Sequence, residues 1–266
     1  MSVGDMSDAR PAFPDARPGA RPLRPEPALG AAAQLVLLLV LGAVTGLGPV
    51  GWLTGLVFTA ATWAVLTRAL GRSWPAPVPF GPANAVTLAR TTLAGGVTAL
   101  VAEVFVDRSA PVAALAGLTA VALALDAVDG RVARRTGTAT PFGARFDMEA
   151  DAFLILVLSV HVSSSLGVWV VAIGVMRYVF VAAARFLPWL NGPLPPSMAR
   201  KTVAAVQGVV LLVAGVGVLP PVAAYAAVAS ALALLVWSFG RDIRWLWRVR
   251  VPRAGAVAAQ AERVRA

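Results

Sequence analysis

Residues 111–160 read PVAALAGLTAVALALDAVDGRVARRTGTATPFGARFDMEADAFLILVLSV. An apolar run over about 111–128 closes on Asp126 and Asp129. A polar turn from Arg135 to Pro141 follows, and a second run over about 143–160 opens with Asp147 and Asp151 before turning wholly apolar. Each run approaches the roughly 20 apolar residues that carry an α-helix across a bilayer. Backbone in hydrocarbon must satisfy its own N–H and C=O groups, so a helical hairpin is the expected form. The short alternating segments of a membrane β-barrel do not occur.

Outward from this hairpin the pattern repeats. Further apolar spans fall at about 29–47, 51–71, 84–105, 166–186, 202–219 and 222–240. Hydrophobic residues make up 58% of the chain, charged residues only 14%, and mean hydropathy is +0.76, a balance that argues against a soluble protein. The sequence therefore predicts an all-α fold, a polytopic membrane helical bundle of eight spans. Six of them form a core over 82–240, and two N-terminal transmembrane helices within 29–72 are accessory. Residues 1–28, rich in Pro, Arg, Ala and Asp, read as a disordered cytoplasmic tail and not as a cleaved signal peptide. Residues 241–266 read as a basic cytoplasmic tail.

A net charge of +10 would suggest nucleic acid in a soluble protein. Here the cations gather in the tails and in alternate loops, among them Arg131, Arg134, Arg135, Arg200 and Lys201. That is the distribution of cytoplasmic loops facing anionic lipid, so the expected partner is the bilayer and no nucleic acid. An even number of spans puts both termini on the cytoplasmic side of the cell membrane. The absence of cysteine excludes disulfides, thiolate nucleophiles and Cys-ligated zinc. The single histidine, His161, falls near the membrane face opposite the acids and reads as structural. Any bound metal must then be held by oxygen, which points to magnesium, manganese or calcium.

The acids of the hairpin are periodic. Asp126 and Asp129 stand at i and i+3, with Gly130 and Ala133 continuing the stripe and Arg134 at its edge. Gly143, Asp147 and Asp151 stand at i, i+4 and i+8, again on one face, with Glu149 pointing off it. The turn brings the two stripes face to face near the cytoplasmic surface. Four carboxylates so gathered need cations, and a pair of divalent ions is the natural compensation. Such a pair also suits displacement at phosphorus. Gly130 and Gly143 leave room for a base or a pyrophosphate against the backbone, and Arg134 offers a forked donor to phosphate. The plainer alternative is a set of solvated charges at helix ends.

The spacing Asp126-x2-Asp129-Gly130-x2-Ala133-Arg134-x8-Gly143-x3-Asp147-x3-Asp151 resembles the signature of the CDP-alcohol phosphatidyltransferase family, with every fixed position filled. The core resemblance extends over about 84–240. It implies a six-helix core with a cytoplasm-facing cavity, two divalent metal ions (Mg2+ or Mn2+), CDP-diacylglycerol as donor, an alcohol acceptor and a homodimer. By the same resemblance Asp126, Asp129 and Asp147 are metal ligands and Asp151 is both ligand and general base. Gly130, Arg134 and Gly143 contact the cytidine diphosphate moiety. The two N-terminal spans depart from the minimal six-helix pattern.

Arg177, Arg185, Arg200 and Lys201 allow two readings, a basic pocket for an acceptor that already carries phosphate or ordinary positive-inside flanking. Arg177-x7-Arg185 followed by Lys201-Thr202 is similar to the phosphatidylglycerophosphate synthases of the family, which favours glycerol 3-phosphate. Two departures are Tyr178, where those enzymes carry an acid, and the distance of Gln207 from the Lys-Thr pair. Inositol phosphate or another alcohol is the alternative acceptor. Asn84, Thr87 and Arg90 resemble the family's Asn-x2-Thr-x2-Arg segment before the first core span, there either to shape the nucleotide site or to anchor the helix. Glu103 is expected to snorkel or to meet Arg108, and Trp74, Trp245 and Trp247 to lie in an interfacial belt. A cation-coupled membrane transporter is the competing class. It calls for midplane acids and inverted repeats, whereas these acids cluster at one face and no repeat is found.

Overall fold

The computed structural model describes residues 25–71, 80–106, 111–136 and 140–265, with side chains described outside 127–139 and 251–265. Eight α-helices follow one another without a strand among the described residues. They are α1 (Glu26–Thr45), α2 (Pro49–Gly71), α3 (Pro82–Val104), α4 (Val112–Thr136), α5 (Pro141–Leu166), α6 (Val171–Phe186), α7 (Met198–Val216) and α8 (Pro221–Arg265). Short 3-10 turns at Val168–Val170 and Pro188–Asn191 bracket α6. Seven of the helices are long and apolar enough to cross a membrane, and the chain forms a membrane-embedded bundle.

The helix boundaries have local causes. Proline opens α2, α3, α5 and α8, where its missing N–H is one the helix start leaves unused. Gly46 (φ +65) and Gly217 (φ +75) end α1 and α7 in the left-handed conformation, and Gly46 returns its N–H to Gly42 O at 3.1 Å. Thr140, in extended conformation, caps α5 by accepting the Gly143 N–H on Oγ1 at 3.0 Å.

The core lies where helices meet across α3. This helix touches α1, α2, α4 and α5, while α7 closes the other side against α4, α5 and α8. Leu100, Leu115, Leu158, Leu211 and Val228 are fully buried there. Close approach depends on small residues. A Cβ at Gly95 would meet Gln34 of α1 and Phe58 of α2 at 2.5 Å, and one at Gly174 would overlap the backbone of Leu156. Large apolar side chains point outward, Leu39 at 62% and Val44 at 76% exposure, as lipid-facing surface requires.

Two elements differ from expectation. The span predicted at 111–128 is apolar only over Val112–Asp126, shorter than the others, because the rest of α4 carries the acids and arginines of the site. The tail predicted from 241 is helical, since α8 continues to Arg265 through a stretch rich in the good helix formers Arg and Ala. Residues 1–24 of the N-terminal tail, Trp74 and Arg108 lie outside the described residues. Glu103 Oε1 accepts the Gly51 N–H, in the first turn of α2, at 2.5 Å.

Candidate active site

Three of the four aspartates converge. Asp126 comes from α4, and Asp147 and Asp151 from successive turns of α5. One carboxylate oxygen of each lies within 4.8 Å of the others. Because i and i+4 share a helix face, the stripe on α5 presents two acids together, and the Thr140–Pro141 start of that helix aims it back at α4. The side chains of Asp129, Gly130 and Arg134, on the last turns of α4, lie outside those described.

The centre of the cluster holds a cation that the sequence placed only nearby. Arg90 of α3 is 3% exposed and puts Nη1 3.0 Å from Asp126 Oδ1 and 2.5 Å from Asp147 Oδ1, while Nη2 bonds Asp151 Oδ1. The three carboxylates are each about 40% exposed, so each keeps an accessible side. Three negative charges against one positive leave a net −2 among these four groups. The signal available in the sequence was that Arg90 is one of only two charged residues in α3, and a charge at membrane depth takes a partner.

This donor set fits a divalent metal. The donors are carboxylate oxygens, as hard cations prefer, and ligands about 2.0–2.6 Å from an ion stand up to about 5 Å apart across it. The residual negative charge also calls for more cation than Arg90 supplies.

Gly143 and Asn84 define one wall. Asn84 is 2% exposed, and its Oδ1 lies where a Cβ at Gly143 would fall, so a larger residue there would have to displace the Asn84 side chain. Its Nδ2 is buried with no hydrogen-bond partner among the described residues. Thr87, one turn on, donates Oγ1–H to Ala83 O at 3.2 Å.

The four candidate acceptor cations are not gathered into one pocket by any contact among the described residues. Arg177 binds Glu149 Oε1 at 2.5 Å, so the acid that points off the stripe has a partner of its own. Arg200 meets Asp242 of α8 at 3.3 Å and donates to Pro195 O at 2.6 Å. Asp242 also faces Arg241, which bonds Ser197 Oγ at 2.9 Å. Arg185 and Lys201 are exposed. His161 bonds Gly215 O at 3.1 Å, deep between α5 and α7 and away from the acids, in agreement with a structural role.

Comparison with protein families finds that the model described as CDP-alcohol phosphatidyltransferase matches residues 80–237. The match takes in α3 to α7 and most of the apolar part of α8. No curated protein and no solved structure gives a significant match.

Proposed function

Because this chain belongs to the CDP-alcohol phosphatidyltransferase family, a family of divalent-metal-dependent transferases acting on CDP-alcohol substrates in phospholipid synthesis, we propose that it moves the phosphatidyl group of CDP-diacylglycerol to glycerol 3-phosphate and releases CMP. In this reading 82–240 is the catalytic unit and 29–72 an accessory pair of helices. The enzyme works as a homodimer in the cell membrane with its site and both termini on the cytoplasmic side. The observation that carries the reading is the meeting of Asp126, Asp147 and Asp151 from both halves of one signature, with oxygens within 4.8 Å.

Asp151 takes the proton of the acceptor hydroxyl. The oxygen so freed bonds to the lipid-side phosphorus, the bond from that phosphorus to the bridging pyrophosphate oxygen breaks, and CMP departs with the electron pair. Asp126, Asp129, Asp147 and Asp151 would hold two divalent ions, magnesium or manganese, whose chemistry here is neutralisation of the charge on the pyrophosphate oxygens. Gly130 and Gly143 contact the cytidine diphosphate moiety, with Asn84 packed against Gly143, and Arg134 donates to its phosphates. Arg90 offsets part of the acids' repulsion and ties α3 to both halves of the hairpin.

By the resemblance of the sequence the acceptor phosphate is assigned to Arg177, Arg185, Arg200 and Lys201, which no contact among the described residues gathers into one pocket. Arg177 and Arg200 are held by Glu149 and Asp242, so an incoming phosphate exchanges with a carboxylate and does not meet a bare cation. The test is CMP release by the purified protein with CDP-diacylglycerol and magnesium, offering glycerol 3-phosphate, inositol phosphate, inositol and serine separately. The expected result is release with glycerol 3-phosphate, reduced at least about 1,000-fold in Asp151→Asn, from loss of the general base and a metal ligand. Release with inositol phosphate alone would keep the chemistry and reassign the acceptor.

A further inference from the structure

We propose that the cavity between the Pro188–Asn191 turn and the extended end of α8 binds the phosphate of an anionic phospholipid headgroup. The proposal stands whichever acceptor the enzyme uses. The chain leaves α6 at Phe186 and folds back through the turn, which Asn191 secures by donating Nδ2–H to Ala184 O at 2.9 Å. Beyond its apolar part α8 lies against this turn, with Leu246 and Leu190 buried between them. What remains open is a cavity of about 340 Å³ lined by Trp189, Asn191, Trp245, Val249 and Arg250.

Two donors in that lining lack acceptors among the described residues. Arg250 lies over the rings of Trp247 and Trp189, 4.8 and 5.8 Å from their centroids, and has no ion pair or hydrogen bond among the described residues. Stacking holds a guanidinium flat and leaves its fork of N–H groups for an anion. Arg90, Arg177, Arg200 and Arg241 are, by contrast, each engaged with a carboxylate. The Trp189 Nε1–H is buried without a partner among the described residues. A phosphodiester accepts from both.

Position and charge select a lipid. The cavity lies at the end of the bundle where α6 finishes and α8 leaves its apolar part, the same end as the acid cluster at the start of α5. Indoles concentrate at the headgroup level of a bilayer, and Trp189, Trp245 and Trp247 meet there. The volume admits a phosphate and a glycerol but no acyl chain, and Phe186, 85% exposed beside the turn, offers an apolar surface for the chains. Residues 241–253 carry five arginines and one aspartate, 5 − 1 = +4, which repels the cationic amine of a zwitterionic headgroup.

The experiment is native mass spectrometry of the full chain in detergent with equimolar phosphatidylglycerol and phosphatidylcholine. The wild type should retain phosphatidylglycerol several-fold over phosphatidylcholine. Arg250→Gln should lower that retention about tenfold, as loss of a charge-assisted contact implies. Trp189→Phe, which keeps a ring and removes the N–H, should lower it less. Asp126→Asn should leave it unchanged, which separates this site from the catalytic one, and circular dichroism confirms that the variants are folded. Equal retention of both lipids, or unchanged retention in Arg250→Gln, overturns the proposal. Displacement of the lipid by millimolar inorganic phosphate overturns it too, by assigning the cavity to a free anion.

Discussion

Arg90 and its three aspartates come from positions 57 and 61 residues apart for the α5 pairs, and the guanidinium is almost wholly buried. Removing it leaves carboxylates facing one another, at a cost of about 1–3 kcal/mol once their partial exposure is discounted. Arg90→Gln should therefore unfold several degrees earlier than the wild type in chelator, and magnesium should recover more of the difference in the variant. Equal unfolding temperatures in chelator would show that Arg90 does not stabilise the cluster. The acid stripe was legible because Asp147 and Asp151 obey helical spacing within one element. The role of Arg90 was not, because nothing local to α3 says which of its faces meets α4 and α5. Glu149 shows the same division. Its direction off the stripe followed from periodicity, but its partner Arg177 followed from how α6 packs on α5.

Among the elements, the contact of α5 with α6 depends on a residue that cannot grow. A Cβ at Gly174 would run into the Leu156 backbone, which has no rotamer to yield, whereas nothing lies within 4 Å of a Cβ at Gly117 of α4. Gly174→Ala should cost about 1–3 kcal/mol through overpacking. Gly117→Ala should be neutral, or stabilising by up to about 1 kcal/mol through helix propensity. Thermal unfolding of the two variants in detergent checks the contrast, and equal midpoints would refute it. The existence of each helix was legible from the apolar runs, and the proline starts and glycine stops were visible as residue types. Lengths were less so. Hydropathy ends α8 near 240, yet backbone hydrogen bonding carries it to Arg265, since losing an apolar face removes a span without removing a helix.

For the molecule as a whole, orientation is the property most open to test, and the cysteine-free chain is a ready background. Pro196 lies between α6 and α7 at the acid end, and Val218, 69% exposed, lies between α7 and α8 at the other. In intact cells a membrane-impermeant maleimide should label Val218→Cys, and should label Pro196→Cys only after lysis. The reverse pattern would put the acids outside and refute the cytoplasmic site. An even span count places both termini on one side, and the alternation of basic loops makes that side the expected cytoplasmic one, so the expected topology rests on charge counted along the chain.

By itself the sequence determined the all-α membrane architecture, the family signature and the pairing of two acidic stripes across one turn. These are properties of composition, period and spacing, which are local in the chain. Only the tertiary structure decided that α3 is the hub, that Arg90 enters the acid cluster, that Asn84 fills the space Gly143 leaves, and that Arg177 and Arg200 are already paired. Each of these depends on which helix faces meet. In lipid both faces of most of these helices are apolar, so hydrophobic periodicity, the usual guide to facing, carries little information.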